Sequence, residues 1–153
     1  MPEPKLIATN RRARHDYFIE DVLEAGLVLT GSEVKALREH QVSMQEAYAV
    51  IENGELWLVG LYIAPYSHRG SVSLDPRRKR KLLVKRRELR RLIGRIATKG
   101  YTLVPLRLYF NSRGYAKVEL GLGRGKRQYD KREALAERDY QRRLQRLTER
   151  EVE

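Results

Sequence analysis

Between Val104 and Leu122 the apolar residues fall on every second position, twice over. Val104, Leu106, Leu108 and Phe110 alternate in the first run, and Ala116, Val118, Leu120 and Leu122 in the second, with Asn111-Ser-Arg-Gly114 between them. A two-residue period puts successive side chains on opposite faces of an extended chain. The pair therefore predicts two antiparallel strands joined by a turn, each with one buried face. Pro105 has no amide hydrogen to give to a ladder, which predicts an edge or a bulge in the first of them. A second hairpin is predicted from Tyr48–Ile51 and Leu56–Ile63, because Asn53-Gly54 between them tolerates positive φ at both central positions. Residues 16–29 make a third extended segment, with Tyr17, Ile19, Leu27 and Leu29 among β-favouring neighbours and Ala25-Gly26 as a bulge or bend.

Two helices are expected among these strands. One starts at Ser32 as N-cap and runs through Val34 and Leu37 to about Glu39. The other covers Lys85–Thr98: Leu89, Leu92, Ile93 and Ile96 share one stripe, Arg87, Arg90, Arg91 and Arg95 take the opposite arc, and Gly100 caps its end. The pattern predicts a mainly β fold with peripheral helices. Its architecture is a small antiparallel barrel of five or six strands, of the oligonucleotide-binding (OB) type, over residues 1–123. From there apolar residues thin out, and 17 of the 30 residues at 124–153 are charged. The stripe Ala136, Tyr140, Leu144 and Leu147 is too narrow to hold a helix alone. A basic tail is expected that is disordered when free and helical on an RNA partner.

Charge is concentrated rather than spread. Residues 77–95 hold eleven of the 32 basic residues and one acid, Glu88, a net +10 out of +12 for the chain, while residues 1–76 carry seven basic and eleven acidic groups, net −4. So local a positive field points to nucleic acid as partner. The chain has no cysteine, and His15, His40 and His68 have no close metal-ligand spacing, so no metal and no other cofactor is expected. Met1–Asn10 lacks the apolar segment of a signal peptide. The longest apolar stretch, Leu56–Pro65, is far shorter than the roughly 20 residues of a membrane span, so a cytoplasmic protein is expected.

Several short motifs resolve into plain readings. Gly121-Leu-Gly123-Arg-Gly125-Lys126 has alternating glycines but matches neither nucleotide-binding loop, and reads as a flexible exit from the last strand into a phosphate-touching element. Ser32-x-x-Lys35 lacks the partner motifs of penicillin-binding enzymes. Asp16, Glu20, Asp21 and Glu24 would suit a magnesium-dependent nuclease only if strand alternation ran unbroken. His15 has no nucleophile to activate. No catalytic residue is assigned.

Six segments in order then resemble the SsrA-binding protein (SmpB) family. They are Asn10-Arg-Arg-Ala-Arg-His15-Asp-Tyr17, Glu24-Ala-Gly26-Leu, Gly31-Ser-Glu33-Val-Lys35-Ala-Leu-Arg38, Asp75-Pro76 with Arg80-Lys81-Leu82-Leu83, Lys99-Gly100-Tyr-Thr-Leu-Val-Pro105, and Gly125-Lys-Arg-Gln-Tyr-Asp130-Lys-Arg132. The resemblance implies an OB-type barrel with about three helices, and an RNA-binding adaptor of trans-translation, not an enzyme. Its body would bind the tRNA-like domain of transfer-messenger RNA, bring it to the A site of stalled ribosomes, and meet small-subunit rRNA there. Its tail would probe the empty messenger channel. RNA binding is implied for Asn10, Glu24 and Leu83, with Arg11, Arg12, Arg14, His15 and Lys81 in the matching segments. The ribosome-facing tail residues are Gly125, Lys126, Arg127, Tyr129, Asp130, Lys131 and Arg132. Arg127 replaces a lysine, and Tyr129 a frequent histidine, of the family pattern. Indirect partners are elongation factor Tu and alanyl-tRNA synthetase, with no membrane, and the protein is expected as a monomer. Two other readings are a general RNA-binding barrel of cold-shock type, and a nuclease using the acids at 16–24.

Overall fold

The computed structural model describes residues 4–65, 75–97, 100–126, 138 and 140–146. In chain order its elements are β1 (Lys5–Thr9), α1 (Ala13–Asp16), β2 (Tyr17–Leu27), α2 (Gly31–Arg38), β3 (Val42–Ser43), β4 (Tyr48–Glu52), β5 (Glu55–Val59), β6 (Tyr62–Ile63), β7 (Arg80–Leu83), α3 (Arg86–Ile96), β8 (Tyr101–Phe110) and β9 (Ala116–Gly125). Strands β8, β4, β5, β7, β2 and β9 follow one another by hydrogen bonding, and β9 pairs back onto β8, so the sheet closes into a ring. All pairings are antiparallel. On one edge of β8, β4 joins at Leu103 and β1 takes Arg107 to Phe110.

Both expected hairpins form. Asn53 and Gly54 sit at φ 52° and 73°, the two positive values a two-residue turn of this hand requires. Gly114 at φ 84° closes the other turn, where the Asn111 side chain accepts from the amides of Arg113 and Tyr115 at 3.1 and 2.9 Å. The strand expected over Leu56–Ile63 is instead broken at Gly60. There φ is 78°, and a Cβ would lie 2.3 Å from the Glu46 carbonyl oxygen. Tyr62–Ile63 turns away to pair with Val42–Ser43 in a separate two-stranded sheet.

Pro105 is accommodated by a bulge between Pro105 and Arg107. The bulge reverses the facing of the strand: Leu103, Leu108 and Phe110 join the main core, while Val104 and Leu106 pack with Ala13 of α1 on the other side. Simple alternation from Val104 to Phe110 therefore fails across it. In β2 the bulge lies between Ile19 and Asp21, not at Ala25-Gly26. The glycines at 121 and 123 are strand residues rather than a flexible exit, since β9 continues to Gly125. A Cβ at Gly123 would come 2.4 Å from the Phe18 carbonyl oxygen, so β2 and β9 approach too closely there for any side chain.

Helix α2 is capped by Thr30 instead of Ser32. The Thr30 hydroxyl accepts from the Glu33 amide at 3.3 Å, and Glu33 Oε1 accepts from the Thr30 amide at 3.0 Å, a reciprocal capping box. Helix α3 ends at Ile96, and Gly100, at φ 91°, lies beyond its cap at Ala97. Leu92 is buried and Leu89 and Ile96 are half-buried, but Ile93 is exposed. The strands β1 and β7 and the short helix α1 add to what periodicity predicts. The core gathers Leu56, Leu58, Leu82, Leu103, Leu108, Val118, Leu120 and Leu122 inside the ring, with Ala36 and Leu37 of α2 packed against it. Arg138 and residues 140–146 are helical and exposed. No helix among the described residues is long and apolar enough to cross a membrane.

Candidate nucleic-acid interface

The basic run does not stand as free positive charge, because the fold lays the acidic N-terminal half against it. Arg80, within the run expected as a positive field for nucleic acid, is the most deeply buried ion among the described residues of the ring, 1% exposed. Its guanidinium donates to Glu33 Oε2 at 2.6 Å, to the Leu61 carbonyl at 2.6 Å and to the Pro76 carbonyl at 2.9 Å. Arg78 donates to both oxygens of the same Glu33. Burial pushes the Glu33 carboxyl up, but hydrogen bonds from Arg78, the Thr30 amide and Arg80 together outweigh it, and its pKa lies below the ordinary value. For Arg80, burial prevails over Glu33 and lowers the guanidinium pKa.

Further along the run, Arg77 pairs with Glu46 at 2.8 Å and Lys79 with Glu52 at 2.7 Å, and Lys79 also lies 4.6 Å from the Trp57 ring centre. Lys81 reaches Glu55 at 3.5 Å, while Arg91 and Arg95 reach Asp21 at 3.5 and 3.4 Å. Of the eleven cations, Arg77, Arg78, Lys79, Arg80, Lys81, Arg91 and Arg95 are so paired. Lys85, Arg86, Arg87 and Arg90 remain, all exposed and without an acidic partner among the described residues.

A continuous band of polar residues crosses the outer face of the ring. It starts at Asn10, whose amide donates to the Leu106 carbonyl at 2.8 Å and whose side-chain nitrogen donates to the Pro105 carbonyl at 3.0 Å, both on the β8 bulge. Asn10 lines a hollow of about 340 Å³ with Thr9, Arg11, Arg14, Arg107 and Glu119. Arg107 faces Glu119 across β8–β9 and donates to its carboxylate through Nε at 3.1 Å. That bond raises the Arg107 pKa. Glu119 in turn faces Glu24 across β2–β9. Glu24 Oε2 accepts from the Tyr109 hydroxyl. Burial, and then the bond to Glu24, push the Tyr109 pKa far up, so the phenol stays a donor.

Two residues beyond Glu24, Gly26 pairs with Lys117 on one side and Leu83 on the other. A Cβ at Gly26 would lie 3.4 Å from Leu83 Cβ and 3.7 Å from Lys117 Nζ, ordinary van der Waals contact with both neighbours. Leu83 is 53% exposed, an apolar side chain held outward among cations. Lys81 lies two residues back on the same strand face, opposite Trp57.

The structure thus brings Asn10, Arg11, Arg14, Glu24, Lys81 and Leu83 onto one band and adds Arg107, Tyr109, Lys117 and Glu119. Arg12 and His15 are exposed on α1 beside the hollow but do not line it, and His15 Nδ1 lies 3.1 Å from Asp16 Oδ1. The four additions carry a signal that alternation supplies. Each is a polar residue at an outward position of β8 or β9, with apolar neighbours facing the core.

The tail leaves from the far end of β9. Gly125 pairs with Tyr17, and Lys126 Nζ lies 5.1 Å from the Phe18 ring centre. Arg124 stacks on Tyr101 at 4.5 Å and donates to its hydroxyl at 2.6 Å, and that hydroxyl donates to Glu20 at 2.7 Å. Arg127, Tyr129, Asp130, Lys131 and Arg132 lie outside the described residues, as do Ala136 and Leu147.

The acids of β2 each have their own partner: Glu20 takes Tyr101, Asp21 takes Arg91 and Arg95, and Glu24 takes Tyr109. The bulge at Glu20 splits the row that a nuclease would need, and among the described residues no three acidic or histidine side chains converge on a metal position.

The ring is closed and antiparallel, and carboxylates and cations are spread over its outside. The family model described as SmpB protein matches residues 7–150. The SsrA-binding protein of Paracoccus denitrificans is 56% identical over 95% of this chain and 94% of its own, and that of Moorella thermoacetica 54% identical over 93% and 92%. A chain from the solved structure "tmRNA-SmpB: a journey to the center of the bacterial ribosome" is 58% identical, covering 78% of this chain and 83% of that one, with a TM-score of 0.65. The chain belongs to the SmpB family of SsrA-binding proteins.

Proposed function

We propose that this protein is the RNA-binding adaptor of trans-translation, and that the outer band from Asn10 to Leu83 holds the tRNA-like domain of transfer-messenger RNA. The observation that carries the reading is the 58% identity with a chain from a tmRNA-SmpB structure, together with the clustering of Asn10, Glu24 and Leu83 on one face. The ring is then an OB-type barrel that uses its outside rather than a cleft between domains. Glu24 is costly beside phosphates, so its place there calls for a specific donor. Tyr109 fixes one carboxylate oxygen and leaves the other, which has no described partner, to accept from a base amino group or ribose hydroxyl. Asn10 is pinned by the β8 bulge, and the exposed Leu83 offers apolar contact to an unstacked base. Residues 124–153 act as the second part: with the RNA delivered to the A site of a stalled ribosome, they enter the empty messenger channel and become helical against rRNA. The protein works in the cytoplasm as a monomer, and meets elongation factor Tu and alanyl-tRNA synthetase only through the RNA.

The body should carry the binding. Glu24→Ala is expected to weaken the complex with the isolated tRNA-like domain by roughly 1–3 kcal/mol, the usual value of a good base-edge contact. Tyr109→Phe, which frees the carboxylate, should cost about 1 kcal/mol. Removal of residues 124–153 should leave most of the affinity. Titration of labelled RNA checks all three. Charge attraction alone predicts that Glu24→Ala tightens binding, and that outcome would reject the assigned role.

A further inference from the structure

We propose that Lys85, Arg86, Arg87 and Arg90 form a phosphate-binding ridge that continues the Leu83 face, and that it grips a stem of the same RNA. Of the other seven cations of the run, Lys81 belongs to the band already described, and the remaining six contribute to folding and not to RNA affinity. This rests on the proposal that the Asn10–Leu83 band binds the tRNA-like RNA. The sorting comes from the ion pairs. Arg77, Arg78, Lys79, Arg80, Lys81, Arg91 and Arg95 each have a carboxylate within 3.5 Å, supplied by Glu33, Glu46, Glu52, Glu55 and Asp21. A cation already paired releases few counterions when a phosphate approaches, because its own carboxylate must first be displaced. The four on α3 face no such competition.

Their position is set by β7 and α3. Leu83 ends β7, and Lys85, two residues on, is the N-cap of α3. Leu89, Leu92 and Ile96 turn the helix with that side to the core. At about 100° per residue, Arg87 and Arg90 then lie on the opposite, solvent side, and Arg86 on the flank beside them. Arg86 and Arg90 are one turn apart, about 6 Å along the axis, and all four are exposed. The result is a short cationic ridge beginning within reach of the exposed leucine. A run of negative charge passing over Leu83 meets it next. Polyanionic RNA backbone fits this; an acidic protein would have to present its charges beside the Glu24–Glu119 pair on the same face.

The test is the salt dependence of binding to the isolated tRNA-like domain, measured on the full chain. Each neutralised phosphate contributes about 0.7–0.9 to the slope of log affinity against log salt. Changing Lys85, Arg86, Arg87 and Arg90 together to Gln should lower that slope by about 3 units, so that affinity falls roughly sixtyfold less between about 50 and 200 mM salt. As control, Arg77→Gln with Lys79→Gln removes two exposed but paired cations and should leave the slope unchanged. Both variants alter only surface side chains, and thermal unfolding of each checks that the fold persists. An unchanged slope in the fourfold variant would overturn the ridge, and so would an equal drop in the control. A loss seen only in ribosome binding, with the RNA slope intact, would also overturn it by assigning these residues to rRNA. If the unaltered protein shows no affinity for the tRNA-like domain, the underlying functional proposal fails instead.

Discussion

Glu33→Ala is expected to destabilise the protein by about 3–5 kcal/mol, a large share of a domain's total of roughly 5–15 kcal/mol. The carboxylate is 5% exposed and serves three donors: Arg80, Arg78 and the Thr30 amide. Its removal leaves Arg80 charged, 1% exposed and facing only the Leu61 and Pro76 carbonyls, while Arg78 can turn toward water. The helix also loses half of its capping box. Denaturant unfolding measures the loss, and a cost under about 1 kcal/mol would show that the buried pair does not hold β7 to α2. Replacing both members, with Glu33→Gln and Arg80→Met, should cost less than Glu33→Ala because no unpaired charge stays inside. The pH dependence follows in sign. The folded Glu33 has a depressed pKa, so its contribution is complete above the unfolded carboxylate's pKa and is lost as pH falls through the folded value. The stability gap between the unaltered protein and Glu33→Gln should therefore close in acid.

The second large effect concerns the tail. Changing Asp130, Lys131 and Arg132 together to Ala should abolish peptide tagging of stalled nascent chains while sparing RNA binding. Nine basic residues between Arg124 and Arg146 oppose four acids, so self-repulsion and few apolar contacts work against docking onto the body. Tyr140 is exposed at 63%, in keeping with that. Among rRNA phosphates the repulsion is offset and the helix gains a partner. Tagging in a reconstituted translation system programmed with a truncated message reads the effect. Normal tagging by the triple variant would remove the tail from the mechanism, and equal tagging on messages that still fill the channel would do the same.

Strand identity was legible wherever a two-residue period met a turn with one defined conformation, as at Asn53-Gly54 and Asn111–Gly114. What stayed hidden depended on contacts between distant residues. The basic run reads as one localised positive field because its compensating acids lie 26 to 74 residues away, from Glu55 pairing with Lys81 to Asp21 pairing with Arg95. Nothing local marks Arg80 as interior, or Arg80–Leu83 as a strand. Gly123 looks like a loop glycine until Phe18 is placed against it. Of the proposed site, Asn10, Glu24 and Leu83 follow from family resemblance. Alternation puts Arg107 and Tyr109 outward, but their pairing with Glu119 and Glu24 depends on the register of β8, β9 and β2.

The central claim is selective binding of a tRNA-like RNA. The most direct measurement is the affinity of the full chain for transfer-messenger RNA against a plain stem-loop of equal length, at about 150 mM salt with chelator present. The account predicts a preference of at least about a hundredfold, with the RNA left intact, in line with the gap between specific and non-specific nucleic-acid binding. Equal affinity for the two RNAs would contradict it and leave a general RNA-binding barrel in its place.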